Sequence, residues 1–180
     1  MRKVKGAEAL WGIGLLAGLA VWVLFMTVAI AGPTARISQS GDVLELDYQE
    51  DGRSHTDTIP LYRTGEVQYF SAGVGVEERS ATYPPFPLKL IFSAGGKPYV
   101  ARVSVTVRQS NGPTMVTIPS EQITGPWLFL DLPEGSYHIE ATMGGQIRRL
   151  EDIKVESGTQ KTLYVRWLDD REPSRDTNAK

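Results

Sequence analysis

The fold is decided by the stretch Gly125-Pro126-Trp127-Leu128-Phe129-Leu130-Asp131-Leu132-Pro133-Glu134-Gly135-Ser136-Tyr137-His138-Ile139-Glu140-Ala141. It joins an apolar segment to a strictly alternating one through a Pro-Glu-Gly corner. Proline presets the backbone at the first turn position, and glycine supplies a positive φ. The stretch therefore predicts a tight reversal from Leu132 to Ser136 that joins two antiparallel strands.

Short strands separated by turn residues continue this pattern on both sides of the corner. The predicted strands cover residues 86–93, 99–108, 114–118, 126–132, 136–143, 146–155 and 161–168. No long amphipathic helix separates them, so they predict an all-β, seven-stranded antiparallel Greek-key sandwich over residues 86–168. Leu150 falls out of step with the alternation of its strand, which predicts a bulge near Leu150-Glu151.

Strand 126–132 differs from the others because both of its faces are apolar. One face carries Trp127 and Phe129, and the other carries Leu128, Leu130 and Leu132. A sandwich buries only one face of each sheet, so the second face needs another cover. The alternatives are the N-terminal segment 43–82 and a partner protein, and we expect the N-terminal segment.

Residues 32–85 are predicted to form a linker, a β-hairpin and a loop ahead of the sandwich. Residues 32–42 are small and polar and indicate a tether, whereas 43–49 and 54–61 indicate paired strands. A helical turn is expected over 77–82. The Gly73-Val74-Gly75 run does not predict a nucleotide site, because Glu78 occupies the third glycine position of a dinucleotide loop.

The N-terminus has the pattern of an export leader. Three basic residues within the first five positions precede the 23 uncharged residues from Ala9 to Ala31. Ala29 and Ala31 are the small residues that a signal peptidase recognises, so residues 1–31 are expected to be a signal peptide. The uncharged run also reaches the length of a transmembrane helix, so a retained inner-membrane anchor stays open. In both cases the rest of the chain is expected in the periplasm or another extracytoplasmic space.

Charge and cysteine content exclude several classes of function. The chain has 19 basic and 21 acidic residues and a net charge of −2, and three of the basic residues belong to the leader. Nucleic-acid binding needs a basic face, so no nucleic-acid partner is expected. There is no cysteine, which excludes both a disulfide framework and lipoprotein attachment. Residues 169–180 are charged and interrupted by proline, and they are predicted to be a disordered tail.

Four segments resemble the carboxypeptidase regulatory-like domain, which has the transthyretin-like (prealbumin-like) sandwich. The matching residues are Leu88 to Phe92, Val103 to Val107, Gly125 to Tyr137 with its Leu-Pro-x-Gly-x-Tyr corner, and Thr162 to Trp167. The resemblance implies an exported domain whose motif residues are structural, namely Gly125, Pro126, Trp127, Leu132, Pro133, Gly135, Tyr137 and Trp167. Ala72-Gly73-Val74-Gly75 is similar to a Gly-Gly-Val-Gly-like segment found ahead of such domains, with one glycine replaced.

The family name does not imply catalysis. The regulatory-like domain is the non-catalytic partner of a zinc peptidase, and no His-x-x-Glu pair accompanies His55 or His138. The hydroxyisourate hydrolase that shares the fold is similar only in architecture, because it needs several histidines and a Tyr-Arg-Gly-Ser terminus. Ser136 lacks the context of a nucleophile elbow. We therefore expect no enzyme activity and no cofactor.

The other polar and aromatic residues are expected to have ordinary structural or surface roles. His138 is predicted to be a surface histidine, and two distant histidines cannot supply a transition-metal site. Asp47, Glu50, Asp51 and Asp57 lack the spacing of a calcium loop. The adjacent carboxylates Glu77-Glu78, Glu151-Asp152 and Asp169-Asp170 point to opposite faces in a strand and do not converge. Core or corner packing is expected for most of Tyr83, Phe86, Tyr99, Trp127, Phe129, Tyr137, Tyr164 and Trp167.

The sequence thus predicts a non-enzymatic exported module that binds, or makes structural contacts with, an envelope protein or a small ligand. One alternative is a small-molecule or glycan carrier that uses exposed aromatic side chains. The other is a membrane-anchored accessory subunit of an envelope complex, which requires residues 9–31 to be retained.

Overall fold

The computed structural model describes residues 32–95 and 99–167. The expectations for the leader, including Ala29 and Ala31, and for the tail of residues 169–180 fall outside these ranges. The described residues are mostly β-strand and form a β-sandwich of three sheets. Within the same ranges, no helix is long and apolar enough to cross a membrane.

The first sheet, here called the N-terminal sheet, contains three antiparallel strands. They are β1 (Thr34–Ile37), β2 (Val43–Glu50) and β3 (Arg53–Pro60), in the order β1-β2-β3. The hairpin predicted over 43–49 and 54–61 is confirmed. The tether predicted over 32–42 is wrong, because β1 pairs with β2 and buries Ala35 against the sheet below.

The second sheet, the central sheet, is mixed. Its strands are β4 (Tyr62–Thr64), β5 (Val67–Ala72), β6 (Leu88–Ala94), β9 (Trp127–Asp131) and β12 (Lys161–Trp167). Their order is β12-β6-β9-β5-β4. The prediction of a purely antiparallel sandwich is wrong at one edge, because β12 runs parallel to β6 with Leu163 opposite Leu90. Alternation within a strand does not encode the direction of its neighbour, so the sequence pattern could not show this.

The third sheet, the outer sheet, is antiparallel. It contains β7 (Ser104–Gln109), β8 (Thr114–Ile118), β10 (Gly135–Met143) and β11 (Gln146–Val155), in the order β11-β10-β7-β8. A short helix α1 (Val76–Ser80) precedes β6, where a helical turn was expected, and a 3-10 turn (Ser120–Gln122) precedes β9.

All seven strands predicted from residue 86 onward are present, but the second is shorter than expected. Residues 99–103 are irregular, since Arg102 has a φ of 59° and its amide donates to the carbonyl of Ile123. The chain uses this segment to leave the central sheet and enter the outer sheet. The predicted bulge is confirmed, because Tyr137 pairs with Ile153 and Ile139 pairs with Leu150, which leaves two residues opposite one.

The tight reversal predicted for the corner after β9 is wrong, because the corner does not join two strands that pair with each other. β9 belongs to the central sheet and β10 to the outer sheet, so Leu132 to Glu134 carry the chain across the sandwich. Gly135 does not take a positive φ, because the crossing needs no left-handed residue there. The corner is closed instead by the Tyr137 hydroxyl, which donates to the carbonyl of Pro133 at 2.7 Å.

Two apolar cores lie on the two sides of the central sheet. The inner core, between the central and outer sheets, includes Leu88, Leu90, Phe92, Val105, Val107, Leu128, Leu130, Tyr137, Ile139 and Trp167. The second core, under the N-terminal sheet, includes Leu44, Leu46, Ile59, Phe70, Phe86, Trp127 and Phe129. The expectation that segment 43–82 covers the second face of strand 126–132 is therefore confirmed.

Candidate functional site

A groove of about 430 Å³ lies on the solvent face of the outer sheet. It is lined by Thr106, Arg108, Thr114, His138, Ile139, Glu140, Arg149, Leu150 and Glu151. Four neighbouring strands contribute to this lining. We refer to it as the polar groove.

Strand alternation explains why these side chains share one face. On β7 and β10, Val107 and Ile139 enter the inner core. Their neighbours in sequence must point to the opposite face, because successive side chains on a strand alternate. The register then places His138 beside Arg108 and Glu140 beside Thr106, as cross-strand pairs on adjacent strands.

The bulge in β11 shapes one wall of the groove. Glu151 and Asp152 are the residues left unpaired opposite His138, and Asp152 has a φ of 54°. A bulge re-aims the side chains at its position. Because of the bulge, the consecutive residues Leu150 and Glu151 both line the groove, whereas regular alternation would send them to opposite faces.

The ionic groups of the groove are only partly paired. Glu140 and Arg149 form an exposed ion pair at 3.0 Å, which contributes about 0–1 kcal/mol to stability. The side chains of Arg108, His138 and Glu151 make no hydrogen bond or ion pair with another described residue. The groove therefore offers unengaged donors at Arg108 and His138 and an unengaged acceptor at Glu151.

The chemistry of the lining favours binding of a polar ligand. Its side chains supply a guanidinium, an imidazole, hydroxyls and carboxylates, and no Phe, Tyr or Trp lies in it. A ligand with both anionic and cationic or hydroxyl groups would find complementary partners here. The His138 side chain donates to no hydroxyl and accepts from none among the described residues, so the groove brings no nucleophile and base into contact.

The corner motif lies away from the groove and packs the sandwich together. Gly125 lies against β5, where a Cβ atom would come within 2.3 Å of the Ala72 carbonyl oxygen. Its amide donates to the Ser71 hydroxyl at 2.9 Å. The Pro126 carbonyl accepts from the Phe92 amide at 2.8 Å. No side chain larger than hydrogen fits at position 125 without moving the backbone of β5.

Trp127 contacts a lysine, and the sequence pattern did not predict this contact. The Lys89 ammonium is 3.4 Å from the centre of a Trp127 ring, a geometry typical of a cation–π contact. Burial lowers the pKa of Lys89. Alternation on β6 places Lys89 on the face that carries Ile91 and the second core. The two residues close that core where β6 meets β9.

The rest of the motif is buried on the inner side. Leu132 and Tyr137 belong to the inner core, and a Cβ atom at Gly135 would touch the Tyr137 ring at 3.4 Å. Burial, and secondarily the charge of Glu66, raises the pKa of Tyr137. The Trp167 indole donates to the Gln146 carbonyl at 3.1 Å, which ties β12 to β11.

The remaining aromatic candidates divide between the core and the surface. Phe129 stacks on Phe70 with ring centres 4.5 Å apart, and Phe86 meets Phe70 edge to face. Tyr83 packs beside them, and burial, followed by the charge of Glu78, raises its pKa. Tyr99 and Tyr164 are exposed, but neither lines the polar groove.

Three of the acidic candidates, Asp47, Asp57 and Glu78, have ordinary partners. Asp47 accepts from Thr56 at 2.7 Å and pairs with Arg36, and Asp57 accepts from the Tyr48 hydroxyl at 3.1 Å. No group of three or more potential metal ligands occurs in the part of the chain that the structure describes. Glu78 accepts backbone amides of the loop before α1. Asp169 and Asp170 lie outside the described residues.

The sequence did not single out the groove. Its one signal was the run of polar side chains on the alternating strands 99–108 and 136–143. Such a run also describes any solvated sheet face, so the pattern alone could not separate a binding groove from a plain surface.

The chain was also compared with known proteins. No family model, no curated protein and no solved structure matched it.

Proposed function

We propose that this chain is a non-enzymatic, extracytoplasmic binding module and that it holds a small polar ligand in the polar groove. The observation that carries the proposal is the set of unengaged polar side chains, Arg108, His138 and Glu151, around one cavity. Its volume of about 430 Å³ lies within the range of about 300–1,000 Å³ that is usual for small-molecule sites.

The placement of the groove supports this assignment over other surfaces. Apolar cores cover both faces of the central sheet, so neither face is open to a ligand. The outer sheet has one face in the inner core and one face free for a ligand. Charged side chains on that free face suit a ligand of mixed charge, whereas a glycan that stacks on aromatic rings would find none in the lining.

We further propose that the sandwich is of the transthyretin-like, carboxypeptidase regulatory-like type. Support comes from the seven strands after residue 86, which face one another across the inner core, and from the corner closed by Tyr137. The parallel β12–β6 pair and the added N-terminal sheet are features of this chain. Export follows from the leader pattern of residues 1–31.

Titration followed by residue-resolved NMR tests the groove. Phosphate, glutamate, lysine and N-acetylglucosamine are added in turn to the full chain, and amide shifts are recorded. We expect at least one of them, with glutamate as the best candidate, to shift amides of β7, β10 and β11 around His138. The same ligand should lose most of its affinity in Arg108→Gln and keep it in the control Arg53→Gln, which lies on the N-terminal hairpin.

Two results would contradict the proposal. The first is a set of shifts that cluster away from the groove, or no shifts with any ligand of the panel. The second is a hydrolytic turnover by the purified chain that a single side-chain change abolishes, because it would make the chain an enzyme.

The membrane-anchored accessory subunit remains a second candidate, and one observation favours it. Val74 and Val76 are exposed, and Thr82, six positions after Val76, donates its amide to the carbonyl of Pro33 near the start of the described residues.

A further inference from the structure

The segment that leads into the first turn of α1 exposes apolar side chains to solvent. Val74 is 61% exposed and Val76 is 66% exposed, which are among the highest values for large apolar residues in the described chain. Gly73 to Val76 are here called the valine loop. Single exposed apolar residues need no explanation, but here two exposed valines lie only two positions apart in the chain.

The chain holds the valine loop in place with its own charged residues. The Glu78 carboxylate accepts the amides of Gly73 at 2.6 Å and Val74 at 3.0 Å. The Arg79 guanidinium donates to the carbonyls of the same two residues, at 3.1 Å and 2.7 Å. Side chains of α1 therefore bond both the amides and the carbonyls of the loop backbone. The loop cannot fold over to bury its valines without breaking these bonds.

A glycine fixes the base of the loop. Gly73 has a φ of 97°, and a Cβ atom there would come within 2.9 Å of the Trp127 ring. The loop is thus seated on the second core and directed outward. Val74 and Val76 are therefore exposed because Gly73 and the bonds from Glu78 and Arg79 fix the conformation of the loop.

The valine loop lies close to the start of the described chain. The Thr82 amide donates to the Pro33 carbonyl at 2.9 Å, and the Ala35 amide donates to the Thr82 carbonyl at 2.8 Å. Only five residues lie between Val76 and Thr82, and the first four of them continue the helix that begins at Val76. Chain geometry therefore keeps Val76 within about 20 Å of Pro33.

The sequence places an apolar segment immediately before this point. Residues 9–31 carry no charge and are long enough to cross a bilayer, and Gly32 alone separates them from Pro33. The basic residues lie at the far end of the segment, which directs the described chain to the outer side. When that segment is retained in the membrane, Pro33 follows the lipid-embedded residues after Gly32 alone, and chain connectivity brings the valine loop within reach of the lipid surface.

We propose that the valine loop rests in the interfacial region of the outer leaflet and orients the sandwich on the membrane. The proposal rests on the anchored form of the chain, the second candidate above, and not on the polar groove. Glu77 lies beside the loop, so attraction to anionic lipids is not the driving force. The contact comes from the valine side chains, and zwitterionic lipid is sufficient for it.

Fluorescence with lipid-borne quenchers tests this contact, and the absence of cysteine makes single labels straightforward. Val74→Cys and Val76→Cys are labelled with an environment-sensitive dye in the full chain, reconstituted in phosphatidylcholine vesicles that carry spin-labelled lipid. Thr117→Cys, exposed on β8 of the outer sheet, is the control. We expect about twofold or greater quenching at 74 and 76 relative to 117.

Equal quenching at all three positions overturns the proposal, and so does a blue shift at 74 and 76 without lipid quenching, which indicates a protein partner. Glu78→Gln should reduce quenching at 74 because it loosens the loop, whereas Glu77→Gln should not. A chain from envelope extract whose mass begins at Gly32 also overturns the proposal, since no anchor remains. None of these results affects the groove titration, so the two proposals fail separately.

Discussion

The central sheet and the outer sheet differ in how many of their faces are covered. β9 at the heart of the central sheet is buried from Trp127 to Leu130, with odd and even residues in different cores. β10 of the outer sheet alternates, with Tyr137, Ile139 and Ala141 buried and their neighbours only partly buried. A strand that is apolar on both faces marks a sheet enclosed by two others, and an alternating strand marks a sheet with a free face where a ligand can bind.

The largest effect should come from emptying either core at β9. We expect Phe129→Ala, on the second core, to lower the free energy of unfolding by about 3–5 kcal/mol, and Leu128→Ala, on the inner core, by about 2–5 kcal/mol. Both side chains are almost fully buried. Denaturant titration by circular dichroism measures the loss. If only Leu128→Ala were strongly destabilising, the N-terminal sheet would be a loose cover and the two faces would not be equivalent.

A smaller loss is expected from crowding the junction of β5 with β9. Gly125→Ala places a methyl group 2.3 Å from the Ala72 carbonyl oxygen, and relieving that overlap should cost about 1–3 kcal/mol. Gly32→Ala is the matched control, because a Cβ atom there meets nothing within 4 Å. Thermal unfolding compares the two variants. Equal melting temperatures would show that β5 and β9 are not in the close contact described.

The tyrosine that closes the corner between the two sheets should contribute less again. Tyr137→Phe removes the hydroxyl that donates to Pro133, and we expect a loss of about 0.5–1.5 kcal/mol in the free energy of unfolding. Tyr164→Phe serves as the control because its ring is 71% exposed. A loss at Tyr164 as large as that at Tyr137 would argue that the hydroxyl bond does not tie the central sheet to the outer sheet.

The free face of the outer sheet should respond least in stability. Arg108 is exposed and has no described ion-pair partner. Arg108→Gln should therefore change the free energy of unfolding by less than about 0.5 kcal/mol, although it removes ligand binding in the titration proposed above. A large destabilisation would mean that Arg108 stabilises the fold. The outer face of this sheet would then have a structural role, like both faces of the central sheet.

The sequence predicted the parts of the fold that local alternation determines. The strands, the bulge and the need for a second cover over strand 126–132 all followed from the positions of apolar residues. The parallel pairing of β12 with β6, the pairing of β1 with β2 and the crossing at the corner did not follow. They depend on which strands meet in space, and a pattern with a period of two residues does not specify its partner.

The candidate site was less accessible to prediction for the same reason. Arg108, His138 and Glu151 come from three strands, and only the sheet register and the bulge in β11 bring them to one cavity. Lys89 over Trp127 is a similar case, since an alternating strand gave no sign that its lysine would be half-buried. Both arrangements depend on contacts between residues that are distant in the sequence, and single-sequence patterns report mainly local ones.

Residue-resolved hydrogen exchange under native conditions shows whether the N-terminal sheet and the central sheet unfold as one unit. If the N-terminal sheet is an integral cover of the central sheet, the amides of Leu44 and Leu46 on β2 should exchange through the same global unfolding as those of Leu128 and Phe129 on β9, with equal free energies and equal denaturant dependence. The account is contradicted if the β2 amides exchange through a separate opening of much lower free energy while β9 stays protected. That result would show that the second face of β9 does not need the N-terminal sheet.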